Sequence, residues 1–444
     1  MTLSVAGRMI DNILVLGLGL TGRAVVEFCL ERQIAVSLSE ARGLAVEERS
    51  WLNERRVPFE EGGHTERLLA GADAVVLSPG VPADHSIVSA ARAAGLLDLS
   101  ELDLAFTQVG EIPVIAVTGT NGKGTTVSLI DGILRRVGRI PCLGGNIGTP
   151  FVSLLGNIGS YDVVVLEVSS FQAEQSRLLR PHVAVLLNLT PDHLDRHGSM
   201  DAYAEAKGRL FRLQAKDDVA ILPRELNEAF SQGAGRRVFF DAPPPALPPG
   251  AERLSPHNRA NLDAAVTATL ALDPSLPVRS LSLDALSRAF ALPHRLQDVG
   301  VIEGIRIIND SKSTNADSAV AALRAVDAPT VLLVGGRSKG AGYNALAREI
   351  DDRAVRSVIV FGEAAAEFAA LFESTGIEAV RAGDLEEAVD LGLTEARSGD
   401  ALLFSPACSS FDAFRNYAER GEAFLRAIRE RSGFTPTAAQ DTRS

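Results

Sequence analysis

A chain of 444 residues, 46% hydrophobic and 23% charged, is long enough for two or three globular domains and too rich in core-forming side chains to be disordered throughout or fibrous. Its 44 Lys and Arg against 56 Asp and Glu leave a net charge of −12, which argues against a long non-specific grip on nucleic acid or an anionic membrane; an anionic ligand must be held by a few focused cationic groups. Cys29, Cys142 and Cys408 lie far apart with no metal-ligand spacing, no apolar run approaches the roughly 20 residues that span a bilayer, and the N-terminus lacks a leader pattern, so a reduced, cytoplasmic protein is expected.

Short β-branched runs followed by helical patterns recur from end to end, the signature of α/β folds with mainly parallel sheets flanked by helices. Runs at Ile13–Leu16, Ile34–Leu38 and Ala74–Leu77 make a first block. Val114–Val117, Val163–Leu166 and Val183–Leu189 make a second, and Ile305–Ile308, Val331–Val334, Val358–Phe361 and Ala401–Phe404 a third. The expected boundaries lie near residues 108 and 293, giving domains 1–108, 109–293 and 294–444. The proline-rich stretch from Asp241 to Gly250 reads as a loop, and the small polar residues from about Thr435 onward as a fraying end.

Nearly every polar motif begins where an apolar run ends, which is where open α/β sheets bind ligands. GLGLTG, Gly17 to Gly22, follows the first strand, with Glu40 after the second; such glycines let backbone amides and a helix N-terminus meet a diphosphate. Nicotinamide enzymes use the same pattern, and a purely structural tight turn also fits. Ser78-Pro-Gly80 closes the third strand. VTGTNGKGTT, Val117 to Thr126, resembles a phosphate loop in which Gly119, Thr120, Asn121 and Gly122 cradle phosphates and Lys123 reaches the terminal ones. It departs from the full pattern, with Val117 six residues before the Lys and Gly124 in the usual hydroxyl position.

Glu167 ends the strand DVVVLE, and NLTPDHLDRH supplies Asp192, His193, Asp195 and His197; carboxylate and imidazole at strand ends suit Mg²⁺ shared with phosphates. Zinc is the alternative for His193 and His197, though the helix-borne HExxH pattern is absent, and solvated surface residues are another. In the third block LPHRLQ with Arg295, INDSKSTN with Asp310, Lys312 and Thr314, GGRSKG with Lys339, and SPACSSFDAFRNY with Ser409, Ser410 and Tyr417 could gather a phosphate and a carboxylate. Cys408 reads as a packed thiol, since no His lies in its loop. Only five of the cationic residues are Lys, namely 123, 207, 216, 312 and 339, which marks Lys123 and Lys312 as positions where a compact ammonium, or a nitrogen able to lose its proton, is required, while Lys216 reads as surface.

Taken in order, GLGLTG, SPGV, TGTNGK, GGNIG, EVSSFQ, DHLDRH, AEAK, HNRAN, LPHR, NDSKSTN, GG and SPACSSFD resemble the Mur ligase family over essentially the whole chain, most closely its D-glutamate-adding branch. The resemblance implies a Rossmann-like N-terminal domain for a UDP-sugar, a central P-loop ATPase domain and a Rossmann-like C-terminal domain. It implies an ATP- and Mg²⁺-dependent amide ligase of peptidoglycan synthesis, acting as a monomer on UDP-N-acetylmuramoyl-L-alanine and D-glutamate, with neither nucleic acid nor membrane as partner. Gly17, Gly19, Thr21, Glu40, Arg42, Ser78, Gly80 and Asn146 would hold the uridine diphosphate end, with Ser169 and Gln172 also on substrate. Asn261, Arg295 and Asp310 would contact ATP. Glu167, His193 and a carbamylated Lys207 would hold Mg²⁺, and Lys312, Thr314, Lys339, Ser410 and Tyr417 would receive D-glutamate. Catalytic roles would fall to Lys123, His193, Lys207 and Lys312. Departures are Gly124, whose missing hydroxyl Thr125 or Thr126 could replace, Ser-Pro before His257, Arg337 where an acid is common, and Tyr417 in place of Phe. An oxidoreductase reading explains the first loop but neither TGTNGK nor NDSKSTN. A folylpolyglutamate synthetase would share GTNGKG but not GLGLTG or SPACSSFD, and a silent nucleotide-binding protein would fit the missing hydroxyl at Gly124.

Overall fold

The computed structural model describes residues 2–241, 247–340 and 342–437. Part of the proline-rich loop, residues 242–246, lies outside the described residues, as do residues 438–444. Three large sheets form where the apolar runs predict them. The first has five parallel strands in the order Phe59–Glu61, Ala35–Glu40, Asn12–Leu16, Ala74–Leu77, Leu97–Ser100. The second has six parallel strands in the order Arg236–Phe239, Val219–Leu222, Val183–Leu186, Val114–Thr118, Val163–Glu167, Pro141–Gly145. In the third, seven-stranded sheet, the parallel run Ala379–Arg381, Val355–Phe361, Thr330–Gly335, Ala401–Ala407, Ile305–Asn309 is extended by two antiparallel strands, Gln297–Ile302 and Phe434–Pro436.

The central strands read as unbroken apolar runs because helices cover both of their faces: Val114 to Val117, Val163 to Leu166 and Leu402 to Phe404 are all at most 1% exposed. One expectation is corrected at the C-terminus. Thr435 does not fray but sits in Phe434–Pro436, whose backbone pairs with Gly300–Ile302. The hydrophobic Phe434, half-buried against the core, supplies the reason.

By contacts the chain divides into a larger unit, residues 1–189 and 201–286, and a smaller one, residues 190–200 and 287–444. Within the larger unit the first two sheets share one continuous core, from Ile13 and Val76 through Leu104 to Val164 and Phe211. Two buried carboxyls stitch the sheets together. Glu101 accepts from the Val152 amide at 2.6 Å, and Asp103 accepts from the amides of Arg177, Leu178 and Leu179. Burial pushes the Glu101 carboxyl up to about 7. In the smaller unit two apolar clusters cover opposite faces of the third sheet, one around Leu332, Val358 and Phe368, the other around Leu333, Ile359 and Phe424. No helix among the described residues is long and apolar enough to cross a membrane.

Candidate active site

The first glycine loop is shaped by close approach. The Gly17 amide donates to Ser39 O, the Ser78 hydroxyl donates to Gly17 O at 2.9 Å, and a Cβ on Gly22 would stand 1.9 Å from Gly17 O. The helix Leu20–Glu31 that follows has Gly19 as its N-cap, with no side-chain cap. Its first amides therefore remain available to a ligand. Gly17, Gly19, Leu20, Thr21, Glu40, Ser78, Gly80 and Val81 line a pocket of about 480 Å³ together with His64 and His85. Glu40 accepts from the Leu18 amide at 2.7 Å. Arg42 does not line this pocket; it forms a two-pronged pair with Glu48 at 2.8 and 2.7 Å. His64 accepts or donates at Ser39 Oγ, 2.7 Å away, and meets His85 edge to face at 5.2 Å. Burial, then the neighbouring His85, hold the His64 imidazole below its ordinary value.

The second glycine loop lies between the strand Val114–Thr118 and the helix Lys123–Arg136. Gly122 caps this helix at φ 87°, a conformation that favours glycine, and a Cβ there would meet Asn261 Oδ1 at 2.3 Å. Lys123 Nζ arches over the loop and donates to the carbonyls of Gly119 and Thr120, each at 2.8 Å. Asn188 fixes the loop from beneath: its Oδ1 accepts from the Asn121 amide at 2.9 Å and its Nδ2 donates to Asn121 O at 3.1 Å. Thr126, fully buried, places its hydroxyl 3.4 Å from Asn261, while Thr125 is 1% exposed.

Beside this loop, Lys207 on the helix Met200–Arg212 is 1% exposed, donates to Gly119 O at 2.9 Å and lies 4.4 Å from the Tyr203 ring centroid. Glu167 is 3% exposed; Asn146 donates to its Oε1 at 2.7 Å, and its Oε2 has no hydrogen-bond partner. A buried carboxylate oxygen left in this way suits a cation. Ser169 and Gln172 satisfy each other as a capping box at the start of the helix Ser170–Gln175. Of the three expected metal ligands, Glu167 and Lys207 belong to the larger unit and His193 to the smaller.

In the smaller unit Asp192 is the hub. Lys339 Nζ donates to Asp192 Oδ1 at 3.0 Å, Asn315 donates to Oδ2 at 3.0 Å, and Lys339 also lies 3.4 Å from the Thr314 hydroxyl and 3.5 Å from His193 Nε2. Burial opposes the charged form of Asp192, but Lys339, His193 and Asn315 outweigh it and hold the carboxyl below its usual range. His193 takes a left-handed backbone at φ 55°, a strained setting for a non-glycine residue. Lys312 Nζ lies 3.4 Å from the Tyr417 hydroxyl and 5.1 Å from its ring centroid. Asp310, beside Arg295, accepts from the Leu296 amide and from Ser405 Oγ, and burial raises it to about 6. Ser410 is 2% exposed. Arg420, fully buried, donates to the carbonyls of Ser311, Cys408 and Ser409, tying the NDSK and SPACSS loops together. Arg337 pairs with exposed Glu363 at 2.8 Å. Cys408 is buried with its thiol pushed up to about 12 by desolvation, as a packed thiol should be.

Three family descriptions match this chain in the order of its sheets: Mur ligase MurD-like, N-terminal domain, over residues 11–97; Mur ligase middle domain over 117–239; and Mur ligase, glutamate ligase domain, over 294–408. The chain belongs to the Mur ligase family. The UDP-N-acetylmuramoylalanine–D-glutamate ligase of Pelotomaculum thermopropionicum is 37% identical over 94% of this chain and 97% of its own length. The enzyme of the same name from Koribacter versatilis is 36% identical over 94% and 97%. Among solved structures, a MurF ligase from Thermotoga maritima in complex with ADP aligns at TM-score 0.57 and 18% identity over 94% of this chain and 93% of its own. The UDP-N-acetylmuramate-alanine ligase MurC from the same organism aligns at 0.56 and 18% over 94% and 99%. Both align with the three-sheet α/β fold described above over nearly its whole length.

His64, His85, Asn188, Gln175 and Arg420 escaped the sequence reading. Asn188 alone carried a signal, as the polar residue inside the run Val183–Leu189 that opens NLTPDHLDRH.

Proposed function

We propose that this Mur ligase joins the amine of D-glutamate to the carboxylate of UDP-N-acetylmuramoyl-L-alanine in the cytoplasm, at the expense of ATP. The observation that carries the reading is the Gly119–Lys123 loop, closed by Lys123 and braced by Asn188 and Asn261, in a chain more than a third identical to ligases of that name. We assign the UDP-sugar to residues 1–108, ATP to 109–293 and D-glutamate to 294–444. A dehydrogenase would leave the second loop without a task.

A carboxylate is a poor electrophile. It attacks the γ-phosphorus of ATP, the bond to the β-bridging oxygen breaks, and ADP leaves behind an acyl phosphate. Lys123 and the loop amides hold and neutralise the phosphates through this transfer, which asks for alignment and charge compensation more than for a covalent group. Glu167 and Lys207 are the residues of the larger unit proposed to hold Mg²⁺. Glu167 fits through its unpartnered Oε2; Lys207 fits as a carbamate, formed when its neutral amine takes up CO₂ and releases a proton. Among the described residues no three His, Cys, Asp or Glu side chains converge. When bound, Mg²⁺ offsets charge on the phosphate oxygens.

In the smaller unit Lys312, Lys339, Thr314, Ser410 and Tyr417 are proposed to receive D-glutamate. A substrate carboxylate would take the place that Asp192 holds against Lys339. The deprotonated amine attacks the acyl carbon, the nitrogen gives up a proton to solvent, the tetrahedral oxyanion collapses, the C–O bond to phosphate breaks and the amide remains. Omitting each reactant in turn tests the reading. Phosphate release is expected only with UDP-N-acetylmuramoyl-L-alanine, ATP, Mg²⁺ and D-glutamate together, and release from ATP alone at the same rate would refute it.

A further inference from the structure

Gln175 lies at the last turn of the helix Ser170–Gln175 and is 3% exposed. Its Nε2 donates to Ser78 O at 3.1 Å and to Val81 O at 2.7 Å, across 97 and 94 residues of sequence. Both neighbours accept only, so the NH₂ end of the amide faces them. Its Oε1 is buried with no partner. Leaving an acceptor unpaired is costly, and a purely packing residue would be better apolar.

The two carbonyls bracket Pro79 and Gly80, the turn that walls the pocket of the first glycine loop. Proline has no N–H, so this turn holds few donors of its own; the Val81 amide returns to Ser78 O and the Ser78 hydroxyl to Gly17 O. A single neutral side chain with two hydrogens is what such a pair of carbonyls requires. At its other end the same helix starts from Ser169, two residues after Glu167.

We propose that Gln175 is a positioning residue: through it the helix that follows Glu167 sets the wall Ser78–Val81 and thereby the seat of the nucleotide diphosphate. The inference rests on the reading of this pocket as the sugar-nucleotide site, which Gln175 itself does not line. Gln175→Met keeps the length and removes both hydrogens. Calorimetry with UDP as the probe should show about a tenfold or greater loss of affinity, matched by the KM for the sugar nucleotide, with the KM for ATP within about twofold of wild type. Gln175→Glu, which keeps the shape and one hydrogen when protonated, should fall between the two. A lowered melting temperature with unchanged UDP affinity would make Gln175 merely structural and overturn the proposal, as would an equal rise in the KM for ATP. If the Met variant fails to fold, the Glu variant decides by the same two constants. Wild-type protein that binds no UDP would refute the pocket's assignment instead, a result distinct from equal binding by wild type and variant.

Discussion

The two glycine loops of the larger unit start from the same local plan, a parallel strand, a tight turn and an open helix N-terminus, yet differ in charge. The pocket of the first is lined by Gly17, Gly19, Glu40, Ser78 and two histidines, without Lys or Arg. The second folds Lys123 over its own carbonyls and is braced by Asn188. Amides and a helix terminus suffice to hold a diphosphate that is not cleaved. A phosphoryl group in transfer gathers charge on its oxygens and calls for a mobile cation. On the proposed reading, backbone geometry supplies the binding in both, and the lysine separates holding from reacting.

Removing that lysine should break the comparison most sharply. Lys123→Ala should lower phosphate release by about a thousandfold or more, the scale of losing a main source of transition-state charge stabilisation, and leave UDP affinity unchanged. Loss of UDP binding in the same variant would show that the two loops do not work separately. Gly22→Ala is the reciprocal experiment. Its Cβ would stand 1.9 Å from Gly17 O, so the turn must open. We expect a stability loss of about 1–3 kcal/mol and at least a tenfold loss of UDP affinity, read by melting and calorimetry, with the KM for ATP unmoved.

An effect on stability alone, with turnover at neutral pH unmoved, concerns the seam between the sheets that carry the loops. Glu101 is raised from 4.5 to about 7 by burial, so the folded state holds its proton more tightly than the unfolded chain. Its stabilisation is complete below about 4.5 and is lost as the pH rises through about 7. Glu101→Gln keeps the acceptor for Val152 and has no proton to lose. The difference in unfolding free energy between variant and wild type should grow between those values toward the order of 3 kcal/mol in favour of the variant above pH 7. A difference independent of pH would show that Glu101 titrates normally.

The central strands were legible because each is buried on both faces, so Val163 to Leu166 and Ala74 to Leu77 stand out as unbroken apolar runs. Phe59–Glu61, Leu97–Ser100 and Ala379–Arg381 did not, since edge strands are short, half-exposed and interrupted by charge. The phosphate loop could be read because glycine and lysine at fixed spacing express one backbone requirement. Gln175 and Arg420 could not. Most of their partners are main-chain carbonyls, those of Ser78, Val81 and Ser311 distant in sequence, and a carbonyl leaves no mark on residue identity. Arg42 pairs with Glu48 six residues away, a local contact that the composition of the loop does not announce. The serine and glutamine of SSFQ belong to a pattern readable in two ways, as ligand contacts or as a capping box; in this structure their side chains meet each other.

The central claim is that ATP activates a carboxylate of the sugar-nucleotide substrate. Labelling both oxygens of that carboxylate with ¹⁸O and following the released phosphate by mass spectrometry tests it directly. One labelled oxygen per phosphate, appearing only when D-glutamate is consumed, is the expected result. Phosphate free of label, formed while amide accumulates, would contradict the account.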